Sequence, residues 1–316
     1  MLRASSKSSS CTRRRGRRSI VAEAWKNTAV LQRGLIDVAA HARTMLDAAG
    51  YGDVRVITRD GALGAREHAP FDRMIATVGV WDLPAAWWDQ LAIGGRLVLP
   101  LRWRGLTRSV AFIRDKDRMR SDSVKTCGFL PMIGQDGERE GHIDADRLIK
   151  IYWDADQPIV PLALRGAIAQ PGTCAWSEAT VGPEDPFDGV WLRLTATEPG
   201  TCRITVKPAA IDGGLRRPAV PALSPALVQG GSLAYLTLRP LAEGGGAESR
   251  FRLGAAVGYG SDGVDLAERL CEQIRAWDRD RTAEPVLTAY PADTPDSRLI
   301  TGQVIDKPSV RLMISY

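Results

Sequence analysis

Hydrophobic positions set the first elements. Ile36, Ala39, Ala40, Ala42, Met45, Leu46 and Ala49 recur with helical period, and Gly50 stands where a left-handed residue would cap the helix. Val54 to Thr58 is a short β-branched run and predicts a strand. Phe71 to Val78 predicts a second strand, apolar enough to be covered on both faces. Asp82 stands as a helix cap with Pro84 in the first turn, and Trp87, Trp88 and Leu91 would form that helix's buried face. Arg96 to Leu101 gives a third strand, and Ser109 to Ile113 with Val124 to Phe129 an antiparallel pair. Strand, helix and strand units of this kind build a parallel sheet with loops gathered at the strands' carboxyl ends. The pattern is that of the second half of such a domain, and the first half has no counterpart in it.

Beyond about residue 150 Gly and Pro punctuate runs of alternating polarity. Strands are expected at Val190 to Thr197, Cys202 to Val206, Leu233 to Leu238, Arg250 to Val257, Val286 to Ala289 and Val310 to Ser315. Leu266, Leu270, Ile274 and Trp277 share one face of a helix from Asp265 to Arg279. Loops are expected from Asp212 to Pro225 and at Glu243 to Glu248. The expected organisation is a basic segment at 1–35 without a fold of its own, a partial doubly wound α/β domain at 36–150, and a mostly antiparallel α+β domain at 151–316.

The 316 residues are 44% hydrophobic, enough for a core in each domain. With no run long enough to span a bilayer and no secretory apolar core, the expectation is a cytoplasmic protein without a membrane partner. The net charge of +5 resides in residues 1–26, which carry eight Lys or Arg against Glu23 alone, so the rest is slightly acidic. Such an arm is open to three readings: contact with phosphates or an anionic surface, a solvated tail, or a mis-set start or shifted frame. Nucleic acid is not the expected partner, since no aromatic residue interleaves the arm before Trp25. Five scattered cysteines without a C-x-x-C pair read as free thiols, and His41, His68 and His142 do not cluster with them, so no metal is expected. The sequence leaves the oligomeric state open.

Asp60 and Gly61 stand where the first strand should end. A carboxylate there can accept from an adenine amino group, and Gly allows close approach of the backbone; a plain Asp-Gly turn is the other reading. Gly258-Tyr259-Gly260-Ser261-Asp262-Gly263 spells G-x-G-x-x-G between a strand and a helix. It is read as a helix-start loop needing glycine, with phosphate or cofactor binding as the alternative. Trp81, Trp87 and Trp88 read as core or groove lining. Arg102 and Arg104 could hold an acidic peptide or be solvated surface charge, and His68 reads as a turn residue.

Gly50-Tyr51 through Val56, Asp60-Gly61, Ala69-Pro70-Phe71-Asp72-Arg73, and Leu91 with Gly94-Gly95-Arg96-Leu97-Val98-Leu99-Pro100 resemble the later motifs of protein-L-isoaspartate O-methyltransferases. Asp37 to Tyr316 resembles more narrowly the lanthipeptide-associated "FxLD system" methyltransferases. This match is carried by Trp81-Asp82-Leu83-Pro84, Arg104 to Ser109, Cys127-Gly128-Phe129-Leu130-Pro131-Met132 and Gln273 to Asp280. The resemblance implies a Rossmann-like methyltransferase fold and methyl transfer from S-adenosylmethionine to an aspartate carboxylate of a peptide or protein. It places Asp60, Gly61 and Ala62 at the adenine, and Val78, Gly79 and Val80 beside the methyl group and peptide. The family's acidic, glycine-rich cofactor loop has no match before Asp37, and Arg33 falls where a ribose-binding acid would stand. Weak or absent cofactor binding is therefore expected, and catalytic residues are left unassigned. The second class of function is a non-catalytic peptide-binding or scaffolding remnant of such an enzyme, and the third a nucleic-acid binder using the arm.

Overall fold

The computed structural model describes residues 36–241 and 250–316, with side chains described from residue 39 and excepting those of residues 255–257. The basic arm, Cys11, Arg33 and the Glu243 to Glu248 turn lie outside the described residues. The chain divides into two compact units, Met1–Ala65 and Arg66–Tyr316.

In the first unit the predicted helix is α1 (Ile36–Ala48). Tyr51 N–H donates to Leu46 O and Gly50 N–H to Asp47 O, with Gly50 at φ +81°, so the helix ends in the double hydrogen bond of a Schellman cap. The strand expected at Val54 to Thr58 is not formed. Arg43 is the physical reason: its guanidinium donates to the carbonyls of Tyr51, at 3.0 Å, and Val54, folding residues 51–54 back onto α1 as a turn.

The second unit holds two seven-stranded sheets. In the first, β1 (Phe71–Ile75) runs parallel to β2 (Leu91–Trp103) through the short helix α2 (Ala85–Gln90). Antiparallel strands β3 (Leu106–Arg114) and β4 (Met119–Thr126) follow. The expected α/β class is therefore observed, its parallel part being the single β1-α2-β2 crossover. β1 is an outer strand, and its Asp72, Arg73 and Ile75 are exposed, so the expectation that it is covered on both faces is wrong. Asp82 does not cap α2, whose cap position is Pro84; its carboxylate instead accepts the Ser309 N–H.

The second sheet is ordered β5-β6-β8-β9-β10-β11-β7, and all its pairings are antiparallel. Its strands are β5 (Glu138–His142), β6 (Ile149–Asp154), β7 (Thr173–Val181), β8 (Thr201–Val206), β9 (Ser224–Gln229), β10 (Ser232–Pro240) and β11 (Phe251–Tyr259). Helix α3 (Pro161–Ile168) contributes Leu164 and Ala167 to the core on one face. The other face is covered by α4 (Asp188–Thr197), which follows β7 in the chain, and α6 (Gly263–Arg279); a short α5 (Pro208–Asp212) joins β8 to the loop before β9. The α6 stripe of Leu266, Leu270, Ile274 and Trp277 is buried as its period predicts, at about 1.5–3 kcal/mol for each aliphatic side chain. Val190 to Thr197 is α4 and not the strand expected: Val190, Trp191, Leu194 and Thr195 are buried with helical spacing, and Val190 and Leu194 share a core with Leu266, Leu270, Ile274 and Trp277 of α6.

The last strands, β12 (Val286–Pro291), β13 (Gln303–Asp306) and β14 (Val310–Ser315), return to the first sheet, where β12 pairs with β4. The first sheet is thus assembled from both ends of this unit's sequence.

Candidate functional site

In the first unit Asp60 opens a short 3-10 turn, Gly61–Leu63. Its Oδ1 accepts the Ala62 N–H at 2.9 Å, the Asx arrangement that makes Asp-Gly a stable turn. Asp60 is exposed, and Gly61 and Ala62 are half-buried. The turn thus presents a carboxylate beside two residues with almost no side chain.

Val78, Gly79 and Val80 belong to the second unit, where they extend the line of β1 along β2. Val80 N–H donates to Pro100 O and Val80 O accepts Arg102 N–H, both at 2.8 Å. On the other side Gly79 N–H donates to Leu130 O at 2.7 Å and Gly79 O accepts Met132 N–H at 2.8 Å. The backbones of Gly79 and Val80 are therefore fully engaged and offer a wall rather than hydrogen bonds. A Cβ on Gly79 would lie 3.0 Å from Arg102 Cδ and 3.3 Å from Leu130 O, so a larger residue here would crowd the Arg102 side chain. Residues 129–132 stitched alongside leave Phe129 and Leu130 exposed, the latter 83% accessible, and form an apolar lip beside a half-buried Val78.

Arg102 and Arg104 are neither solvated nor free to hold a peptide. Arg102 donates to Glu138 at 2.6 Å, and Arg203, stacked on Tyr152, approaches the same carboxylate at 3.9 Å. Arg104 sits at φ +47° in the two-residue turn joining β2 to β3, and only 3% of it is exposed. Its backbone N–H donates to Asp154, its guanidinium grips Asp156 with two bonds of 2.7 Å, and its carbonyl accepts the Trp191 indole N–H. The hairpin tip is thereby locked into β6 and α4.

No sequence pattern marks Lys307, Asp154 or Asp156, yet they complete this buried network. Lys307 donates to the carbonyls of Trp81 and Arg102 and lies 4.7 Å from the Trp81 ring centroid. Burial pushes its ammonium down to about 8, against the pull of Asp154, Asp82 and Asp156. Burial likewise raises Asp82, although Ser309 and Lys307 oppose it. Gln135 Oε1 accepts the N–H groups of Trp81 and Asp82 while its amide donates to Asp82 O. Together these bonds fix the segment that follows Val80. Trp81, Trp87 and Trp88 are buried, as core or lining residues would be.

The G-x-G-x-x-G segment is a packing device. A Cβ on Gly258 would fall 1.5 Å from Gly263 O, and the Asp262 N–H is taken by Ser232 Oγ at 3.0 Å. The strand after α6 lies in the other sheet, so the motif opens no βαβ unit. Among the described residues no cluster of metal-ligating side chains is present, and no helix is long and apolar enough to cross a membrane. Cys127, Cys174, Cys202 and Cys271 form no disulfide.

Residues 27–137 match the family model "Protein-L-isoaspartate(D-aspartate) O-methyltransferase (PCMT)". Protein-L-isoaspartate O-methyltransferase of Desulfosudis oleivorans is 36% identical over 99 residues, 31% of this chain and 45% of that protein. The protein of the same name from Hyperthermus butylicus is 37% identical over 124 residues, 39% of this chain and 51% of that protein. The chain thus spans about half the length of the curated relatives it matches. A solved protein-L-isoaspartate O-methyltransferase is 14% identical with a TM-score of 0.32, covering 89% of this chain and 65% of that one. The sequence matches relate residues 27–137 to this family.

Proposed function

We propose that the protein is an S-adenosylmethionine-dependent methyltransferase of the protein-L-isoaspartate O-methyltransferase type, acting on an aspartate carboxylate of a peptide, in the narrower reading a lanthipeptide. The observation that carries this reading is the match of residues 27–137, which spans both the Asp60-Gly61 turn and the Val78 to Val80 wall. When bound, the cofactor would supply an electrophilic sulfonium methyl. The protein's part is then placement and exclusion of water, because an ionised carboxylate needs no base. Asp60 suits the adenine amino group as an exposed acceptor, with Gly61 and Ala62 allowing the ring to approach. Val78 and the buried Gly79 and Val80 suit the side of the transferring methyl, and Phe129 and Leu130 suit the peptide's apolar side chains.

Asp60 to Ala62 meet only the adenine end of the cofactor, so its affinity for this chain is expected to be low. The region 151–316 is assigned to the peptide. The test incubates the full chain with an aspartate-containing lanthipeptide and saturating S-adenosylmethionine, and reads the added mass of one methyl group. Calorimetry on the same sample reports cofactor affinity. Methylation lost in Asp60→Ala supports the reading. No methylation at saturating cofactor sinks the enzyme reading, and micromolar cofactor binding sinks the expectation of weak affinity.

A further inference from the structure

The outer end of the second sheet carries a cluster of arginines that the site above does not use. Trp176 of β7 lies flat across Gly254 of β11, where a Cβ would come within 2.3 Å of its ring. The guanidinium carbons of Arg239 and Arg216 stand 4.5 and 5.7 Å from the Trp176 ring centroid. Arg216 and Arg217 are held in place by their backbone: Tyr235 and Thr237 donate their hydroxyls to the carbonyls of residues 216 and 217, at 2.8 and 2.7 Å. Arg252 faces Arg239 directly across the strand pair and leans on Glu178 at 3.4 Å. Among the described residues no carboxylate lies within ion-pair distance of Arg216, Arg217 or Arg239. A stacked guanidinium has lost most of its freedom yet keeps its in-plane N–H fork for an acceptor.

We infer that this face, built on Trp176 by Arg216, Arg239 and Arg252, binds a peptide segment carrying closely spaced Asp or Glu side chains. Two guanidiniums within 5.7 Å of one ring centroid suit carboxylates on alternate residues of an extended chain, about 6.8 Å apart. β7 is the outermost strand of its sheet, so an extended partner can reach the face from the side. A nucleic acid fits less well. Glu178, 84% exposed on the same strand, would oppose a backbone charged at every step, whereas a peptide can place a neutral residue there. The inference deepens the proposed function and rests on it only in taking the partner to be a peptide.

Fluorescence anisotropy of the full chain with a short labelled peptide alternating Asp and Ser, without methyl donor, tests it. Arg239→Ala and Arg216→Ala should each weaken binding about tenfold, as loss of a charge-assisted hydrogen bond predicts. Arg239→Lys should restore only part of the loss, because charge without the fork is insufficient. Arg298→Ala, at a remote surface pair with Asp117, should change nothing. Unchanged affinity in Arg239→Ala, equal binding of the same peptide with Asn for Asp, no binding at all, or tighter binding of oligothymidylate would each overturn the inference. Because no cofactor is present, a chain that methylates peptides but ignores this probe loses the surface and keeps the function, and the reverse result separates them equally.

Discussion

At the scale of the residue, the charges that matter are the ones burial has committed. Arg104→Ala would remove the cation paired with both Asp154 and Asp156, leaving the 1%-exposed Asp154 only the residue-104 N–H and the nearby Lys307, and should cost about 3–5 kcal/mol in urea unfolding; a loss below about 1 kcal/mol would mean the pair is solvated. Lys307 gives a pH signature. Its folded value of about 8 lies below the ordinary lysine value of 10.5, so between those limits the unfolded chain binds more protons. Stability contributed by this group therefore rises with pH across that window and is flat below it. Lys307→Met should remove that rise, and equal slopes for the two proteins would show that the amine titrates normally. None of this is legible in the sequence. Arg102 and Arg104 were visible as cations at the end of a strand, but their partners Glu138, Asp154 and Asp156 stand dozens of positions away in sequence and meet them only through the fold.

At the scale of the element, periodicity was informative wherever one face is buried. The α6 stripe predicts that helix nearly to its ends, and Gly50 marks the cap of α1. Errors arose where two periods coexist or a side chain intervenes. Val190 to Thr197 satisfies both alternation and the helical stripe, and packing against α6 decided for the helix. Val54 to Thr58 is a good strand by composition, but Arg43 binds its neighbouring carbonyls. The glycine motif was legible as a turn needing glycine, and the structure adds why: Gly258 and Gly263 are in backbone contact. Gly263→Ala would place a Cβ 2.3 Å from the Gly258 carbonyl carbon and should destabilise by more than about 3 kcal/mol. Thermal unfolding of that variant close to the parent would mean the turn can open.

At the scale of the whole molecule, the sequence indicated a mixed α/β chain but not its closure. Alternating runs announce strands, yet nothing local says that Val286 to Pro291 will lie beside β4 and not beside its sequence neighbour β11. Removing residues 1–65 should leave 66–316 with cooperative unfolding, since that unit holds both sheets. Ending the chain at residue 285 should abolish it by leaving β4 an open edge; near-ultraviolet circular dichroism distinguishes the outcomes, and a native-like spectrum after the second deletion would contradict the topology. The late arrival of β12, β13 and β14 also has a bearing on synthesis. While a ribosome is still translating, β1 to β4 must wait as an unfinished platform until Val286 to Ser315 have been made and have cleared the exit tunnel. A chaperone that shields that waiting ledge would therefore govern yield in the cell more than any change to the strands already made.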